Sequence, residues 1–456
     1  MLAFILAAAT SSSAVGTAIT EHLRRQEITG AAVAVYQDGK LLDLKTYGLR
    51  DVAKKLPVDA DTRFEIGSVT KQFTAAAIMQ LQEQGKLSID DPLAKYLPSF
   101  PHAKDVTLRQ LLNQTSGLPD YTNQPDIATL MSTTDANANV VAYVAKPLDF
   151  APGTKWEYSN TNYWVLGKVV AAVSGTSYEG YVREHIFKPA GMTHSGFVSD
   201  EATTDDFAIP YWHGAKNNGP AEPAPPMLES WPFAAGGIIS TVGDLAAWDM
   251  ALESGKIVSH ESYVAMSSPG HLADGKPTNY GFGLGIGKTD GHERIGHGGG
   301  TPGSLAENAT YPSDHLIVVV LENDVQGEPN AVEAAVLEAL YPDALAASHQ
   351  PAAGEDLAVR PKILALLSGV LTGRLAANEL SPEMQKELTP ERQKAAAEHF
   401  ASFGKPTAVI FKEREDAPDR TLYLYRVEFA DEVRNFQVVI DKKTGRVDGM
   451  LLAPTG

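Results

Sequence analysis

The sequence predicts an α+β protein in two units, and three observations carry that reading. Strand-like runs stand near the start of the chain and again between residues 280 and 321, with helical patterns between them. From Ala346 to Arg360 apolar periodicity fades into Ala, Pro, Gly and acidic residues, as in a linker. Beyond it the pattern is helical first and then strand-like, with Tyr423, Tyr425, Val427 and Phe429 alternating as in a half-buried strand.

Taken in order, Leu2 to Ala9 is an apolar run of eight followed by the small residues Thr10, Ser11, Ser12, Ser13 and Ala14. This resembles the hydrophobic core and cleavage site of a signal peptide but has no Lys or Arg before it, so residues 1–14 are expected to be a leader or its remnant, with the first turn of a helix as the alternative, and the protein to be periplasmic or secreted, otherwise cytoplasmic. The run is too short to span a bilayer, and no other segment approaches that length, so no transmembrane anchor is expected. Gly30 to Gly48 reads as a hairpin hinged on Gln37-Asp38-Gly39. Gly67 to Gln84 reads as a helix apolar on several faces, hence buried, with Gly85 as its stop. Further helices are predicted at 108–113, 138–144, 163–173 and 241–253, and strands at Tyr280 to Gly287 and His315 to Leu321. Residues 199–232 are rich in Gly and Pro and carry Tyr211, Trp212 and Trp231, and are expected to form a wall of a cleft. In the last unit, helices are predicted at 364–371 and 390–400, followed by strands at 407–412, 420–429, 436–440 and 446–452. That order resembles the cystatin-like or NTF2-like α+β folds.

Composition narrows the chemistry. The 38 Lys and Arg against 56 Asp and Glu leave a net charge of -18, which repels phosphate backbones, so no nucleic-acid partner is expected. Cysteine is absent, which removes disulfides, thiol nucleophiles and thiolate metal sites. The 12 His include no H-E-x-x-H spacing, and no phosphate-binding glycine loop is recognisable, so neither a metal nor a cofactor is predicted. Asp90 and Asp91 read as a solvated helix end rather than as a catalytic pair.

Three motifs carry chemistry. Ser68-Val69-Thr70-Lys71 places a hydroxyl and an amine about 5–6 Å apart at their β-carbons if the segment is helical. Serine needs a base, and Lys71 can serve only when neutral, which burial on an apolar helix favours. Tyr158-Ser159-Asn160 follows a Pro152-Gly153 turn and precedes an apolar helix. A phenol lowered by a neighbouring ammonium could shuttle a proton there, and Asn160 could donate to a substrate carbonyl. Third, Ile295-Gly296-His297-Gly298-Gly299-Gly300-Thr301 is a glycine-rich strand whose bare backbone a substrate can approach, offering amides to a developing oxyanion.

This ordered set resembles the penicillin-binding-protein and serine β-lactamase superfamily, in particular its class C β-lactamase-related branch with family VIII esterases, DD-peptidases and D-aminopeptidases. The stretches FEIGSVTKQFTAAAIMQLQEQGKLSIDDPLAKYLP, LRQLLNQTSGLPDY, FAAGGIISTVGDLAAW and GHGGGTPGSLAENATYPSDHLIVVVLEN share the resemblance, which runs from about residue 17 to 325. It implies a β-lactamase-like fold, an antiparallel sheet with a helical region, over residues 15–345. A linker at 346–361 and an accessory α+β domain at 362–456 complete the expected organisation. It further implies Ser68 as nucleophile, Lys71 and Tyr158 as proton-handling partners, and Asn160 as a group orienting the acyl portion. The amides of Ser68 and Gly300 would form the oxyanion hole, with His297, Gly298 and Gly299 standing where Lys-Thr-Gly stands in β-lactamases. Because a histidine is mostly neutral at pH 7, weaker selection for penicillins and C-terminal carboxylates is expected. Gln114 stands where relatives often carry His. A literal Lys443-Thr444-Gly445 lies between two strand-like runs and reads as a hairpin turn. The expected function is hydrolysis of ester or amide bonds in a small molecule through an acyl-enzyme on Ser68, with cleavage of a D-amino-acid peptide as the first alternative. The alternatives are a DD-carboxypeptidase, a weak β-lactamase, or a non-catalytic ligand- or peptidoglycan-binding module.

Overall fold

Strands from opposite ends of the first unit meet at the centre of one sheet, and that pairing sets the position of the site. The computed structural model describes residues 2–203, 205–214, 219–289, 291–342, 350–429 and 433–454, with side chains left out at 2–11, 201–203, 402 and 453–454. It divides into two compact units, residues 1–340 and 341–456.

In the first unit, helix α1 (Leu2–Gln26) precedes β1 (Gly30–Gln37) and β2 (Lys40–Asp51), which form the expected hairpin. Asp38 and Gly39 between them both take positive φ, 51° and 69°, the geometry whose twist matches that of paired strands. Next come β3 (Leu56–Pro57), β4 (Phe64–Glu65), helix α2 (Thr70–Glu83), β5 (Gly196–Phe197), β6 (Tyr211–Trp212), β7 (Glu222–Pro223) and β8 (Ile238–Ser240). They are followed by β9 (Gly285–Thr289), β10 (His292–Thr301), β11 (Ser304–Tyr311) and β12 (Leu316–Glu322). The main sheet has the order β3-β2-β1-β12-β11-β10-β9, with every described pair antiparallel. β12 is buried along its whole length, as its continuous Ile-Val-Val-Val-Leu run requires of a central strand.

Helices cover both faces of this sheet. α1 and the helix Pro329–Leu340 pack on one, and the helix Val242–Glu253 packs on the other. Adjacent β11 residues show the two sides: Glu307 shares a half-buried Arg294 with Glu333 of the first face, while Asn308 donates to Asp249 of the second at 3.0 Å. α2 is buried at every position from Thr70 to Met79, and Gly85 follows at a φ of +67° as its stop. Phe73 stacks on Trp248 with ring centroids 4.1 Å apart, and the indole donates to Gln72 Oε1 at 2.9 Å.

Two expectations change, and the leader and linker fall partly outside the described residues. The strand expected at Tyr280 to Gly287 begins only at Gly285, because the chain before it is pressed onto backbone. A β-carbon on Gly281 would lie 2.0 Å from Met266 O, and one on Gly283, at a φ of +72°, 2.6 Å from Lys71 O. Residues 199–232 include a 3₁₀ turn at Val198–Thr203 and the β6–β7 pair, with 204 and 215–218 outside the described residues. Their aromatics Tyr211 and Trp231 are not pocket walls but buried struts, Trp231 donating to Thr134 O at 2.6 Å and Tyr211 accepting from Val52 N at 2.8 Å. The expected leader falls largely on residues whose side chains are not described, and its apolar run lies within α1. Of the expected linker, 346–349 lie outside the described residues, whereas Ala352 donates to Phe411 O at 2.9 Å and so belongs to the second unit. No helix among the described residues is long and apolar enough to cross a membrane.

The second unit runs as read from the sequence, helices first and then a meander. Helices Arg360–Thr372, Pro382–Glu387 and Pro390–Phe400 lead into β13 (Ala408–Asp416), β14 (Arg420–Glu428), β15 (Val433–Asp441) and β16 (Val447–Pro454), paired in that order. Ile363, Leu366 and Leu367 share a core with Phe411, Tyr423, Tyr425, Val427, Phe436 and Val438. Lys443-Thr444-Gly445 is the β15–β16 turn, with Thr444 N and Oγ1 both bonded to Asp441 Oδ1 at 2.6 Å and Gly445 at a φ of +67°.

Removing the ring that stacks on Trp248 should empty the centre of the first unit. Phe73→Ala is expected to cost about 3–5 kcal/mol, seen as a lower urea midpoint with an unchanged slope.

Candidate active site

The reactive end of α2 is built by a tight entry. β4 ends at Glu65, Gly67 takes a φ of +47°, and Gly67–Val69 forms a 3₁₀ turn that runs directly into α2. Ser68 sits half-buried on this turn, and Lys71 one turn later is fully buried. Lys71 Nζ lies 2.9 Å from Ser68 Oγ, 2.9 Å from Asn160 Oδ1 and 2.8 Å from Ala235 O. Burial lowers its pKa from the ordinary 10.5 to about 7, opposed by the negative charge of Asp120. A neutral amine has two N–H bonds and one lone pair. The carbonyl oxygens of Asn160 and Ala235 can only accept, so they take both N–H bonds and leave the lone pair facing Ser68 Oγ.

Asn160 is oriented by Asp120. The amide Nδ2 donates to Asp120 Oδ2 at 3.2 Å, and a carboxylate can only accept, which turns Asn160 Oδ1 toward Lys71. Asp120 is itself held by Thr122 N, which donates to Oδ1 at 3.0 Å. Among the described residues it is the only charged group acting on both Lys71 and Tyr158.

Tyr158 reverses one expectation. Its hydroxyl is covered and has no partner at hydrogen-bonding geometry. Burial pushes the phenol up, Ser68 draws it partly down, and the charge of Asp120 adds to the rise. The sequence suggested a phenol lowered by an ammonium, but Lys71 is the group whose pKa falls, so no permanent ammonium is there to lower Tyr158. Asn160 spends its oxygen on Lys71 and one N–H on Asp120, which leaves its second N–H for the expected donation to a substrate carbonyl.

Gln114, whose consequence the sequence left open, holds this loop. It adopts a φ of +64°, and its Oε1 accepts from Ser159 N at 3.0 Å and Asn162 Nδ2 at 2.6 Å. Its backbone oxygen accepts from Glu157 N at 3.0 Å. Three bonds from one residue thus anchor the chain on both sides of Tyr158.

The glycine-rich strand β10 closes the site. β9 pairs with it only from His292 to Gly296, so residues 297–301 pair with β11 alone. The 3₁₀ turn packs against this stretch at backbone distance. A β-carbon on Gly299 would lie 1.9 Å from Ile66 O and 3.2 Å from Ser68 N, and one on Gly67 would lie 2.6 Å from Gly300 N. On the far face, the missing side chain of Gly298 leaves room for Glu307, whose Oε2 would otherwise be 3.0 Å from a β-carbon. His297 Nδ1 lies 2.6 Å from Gly298 O and so must carry the proton, leaving Nε2 to accept from the Tyr280 hydroxyl at 3.0 Å. Desolvation and then the charge of Lys71 lower its pKa to about 3, although part of the ring remains open to the cleft. The imidazole is therefore neutral far below pH 7.

All of the predicted positions, Ser68, Lys71, Tyr158, Asn160 and His297 to Gly300, converge. Asp120, Tyr280 and the Ala235 carbonyl join them unannounced. Asp120 and Ala235 lie in stretches that carried the resemblance, but nothing in their spacing ties them to Asn160 or Lys71.

Comparison with known proteins agrees with this geometry. The family model described as Beta-lactamase matches residues 15–342. PbpX of Bacillus subtilis (strain 168), which carries a penicillin-binding-protein name, is 33% identical over 308 residues, 67% of this chain and 73% of that one. The crystal structure of D-amino acid amidase from Ochrobactrum anthropi SV3 complexed with D-phenylalanine is similar at 26% identity and a TM-score of 0.62, over 73% of this chain and 99% of that one. The octameric penicillin-binding protein homologue from Pyrococcus abyssi is 24% identical with a TM-score of 0.62 over 96% of this chain and 99% of that one, a likeness of fold alone. The extent of the family match, together with the meeting of Ser68, Lys71, Tyr158 and the β10 glycines, shows that the chain belongs to the beta-lactamase family.

Proposed function

We propose that the chain is a serine hydrolase that cleaves ester or amide bonds through an acyl-enzyme on Ser68. The observation that carries this is the buried Lys71 amine 2.9 Å from Ser68 Oγ with both N–H bonds accepted elsewhere. Ser68 Oγ attacks the substrate carbonyl carbon as its proton passes to the Lys71 lone pair. The oxyanion is met by the backbone amides of Ser68 and Gly300, whose segments touch without side chains between them. Collapse breaks the bond to the leaving group, which takes the proton of the neutral phenol Tyr158, and the phenol is restored from the Lys71 ammonium. Water then enters, gives its proton back through the same pair and releases the acid with Ser68 regenerated.

Within this class, likeness to a D-amino acid amidase favours amide substrates over esters alone. The neutral imidazole of His297 offers no cation to a carboxylate, which disfavours penicillins and peptides with a free C-terminus.

Three measurements check the proposal. Ser68→Ala should abolish turnover of p-nitrophenyl acetate and labelling by a fluorophosphonate probe seen by intact mass; retained turnover refutes it. Because the base must be unprotonated, kcat/KM should rise about tenfold per pH unit below Lys71's pKa of about 7 and level off above it. A rate that is flat from pH 5 to 8 excludes Lys71 as that base. Gly299→Ala should drive β10 away from Ser68 and lower kcat by about 10²-fold or more, the loss typical of a misplaced oxyanion donor.

A further inference from the structure

The charges around Ser68 are arranged for a cation. His297 is neutral, with Nδ1–H on Gly298 O and Nε2 accepting from Tyr280, and so gives no anchor to a carboxylate. Lys71 spends its two N–H bonds inside the protein. The carboxylate of Asp120 is joined to the nucleophile by the bonded series Ser68, Lys71, Asn160, Asp120.

Asp120 also has capacity to spare. An ionised carboxylate offers about four acceptor positions. Two are taken, Oδ2 by Asn160 Nδ2 and Oδ1 by Thr122 N, and the side chain is only half-buried. Its surroundings add negative charge. Glu157 and Asp120 both act on Asp149, whose carboxyl is pushed up by burial first and then by these two neighbours. Lys155 is the cation nearby, and it is paired with Glu157.

Direction within the substrate follows from the chemistry. The leaving group must reach Tyr158, which packs edge-on against Tyr280 and beside His297 with ring centroids 6.3 and 6.0 Å away. The acyl group stays bonded to Ser68, and Asn160, bonded to both Lys71 and Asp120, links that position to the Asp120 carboxylate.

We infer that Asp120 is the receptor for a protonated amine on the acyl portion of the substrate, so that the preferred substrates are aminoacyl amides and esters. This rests on the Ser68 hydrolase reading above. Asp120 thereby acts twice, orienting Asn160 and selecting the substrate by charge.

The test compares substrates that differ only in the amine: D- and L-alanine p-nitroanilide against propionyl p-nitroanilide, with p-nitrophenyl acetate as the general ester. The wild-type chain should favour at least one alanine anilide over the propionyl anilide by about tenfold or more in kcat/KM, the scale of a charge-assisted hydrogen bond. Asp120→Asn keeps an oxygen for Asn160 Nδ2 and removes the charge. Any loss through Asn160 is common to both anilides and cancels in their ratio, which should fall toward one. Glu157→Gln should leave the ratio in place. A wild-type enzyme that turns over p-nitrophenyl acetate but shows no preference for the amine overturns the inference. So does a preference that survives Asp120→Asn or collapses with Glu157→Gln. Absence of Ser68-dependent turnover of every substrate overturns the hydrolase reading itself, and the inference with it.

Discussion

Everything reactive in this protein depends on one crowded amine. Lys71 has three acceptor atoms within 2.9 Å and, when neutral, two hydrogens to give them. Keeping the amine neutral near pH 7 rather than near 10.5 corresponds to on the order of 5 kcal/mol, a large fraction of the net stability of an ordinary domain. The fold sustains this because α2 is enclosed on all sides, by Trp248 stacked on Phe73, by the helix beginning at Asn160 and by the loop through Gly283. An exposed lysine at the same spacing would remain an ammonium and could not accept a proton.

The second requirement is backbone contact between segments far apart in the chain. Gly67 and Gly299 bring the turn bearing Ser68 against β10, and Gly283 brings the 280–284 loop against Lys71 O. At each point a single methyl group would have to occupy space within 3 Å of another backbone atom. These glycines serve close approach first, and the positive φ of Gly67 and Gly283 adds a second reason for their choice.

Hydrogen-bond direction then propagates outward. Asp120 can only accept, so Asn160 must donate to it and present its oxygen to Lys71, and Lys71 must turn its lone pair to Ser68. His297 is fixed by the same logic from Gly298 O and Tyr280. Gln114 secures the loop between these two networks with three acceptor contacts. The polarity of the site is therefore set by groups that have no choice of role, Asp120 and two backbone carbonyls.

Much of this was legible in the amino-acid sequence. The period-two and period-3.6 patterns located the central strands, α2 and the whole C-terminal meander, because burial on one face or all faces leaves its mark residue by residue. The S-x-x-K spacing, Tyr158-Ser159-Asn160 and the β10 glycines marked the site, since i, i+3 neighbours on a helix and bare backbone in a strand are local properties. What local pattern cannot contain is partnership across long separations. The start of β9 at Gly285, the burial of Trp231, the bond from Asn160 to Asp120 and the rise of the Tyr158 pKa where a fall was expected all arise from desolvation and contact in the folded chain. The sequence by itself thus determined which groups could do chemistry here. Only the tertiary structure decided how far burial shifts each of them and in which direction each hydrogen bond runs, because both depend on what water is replaced by.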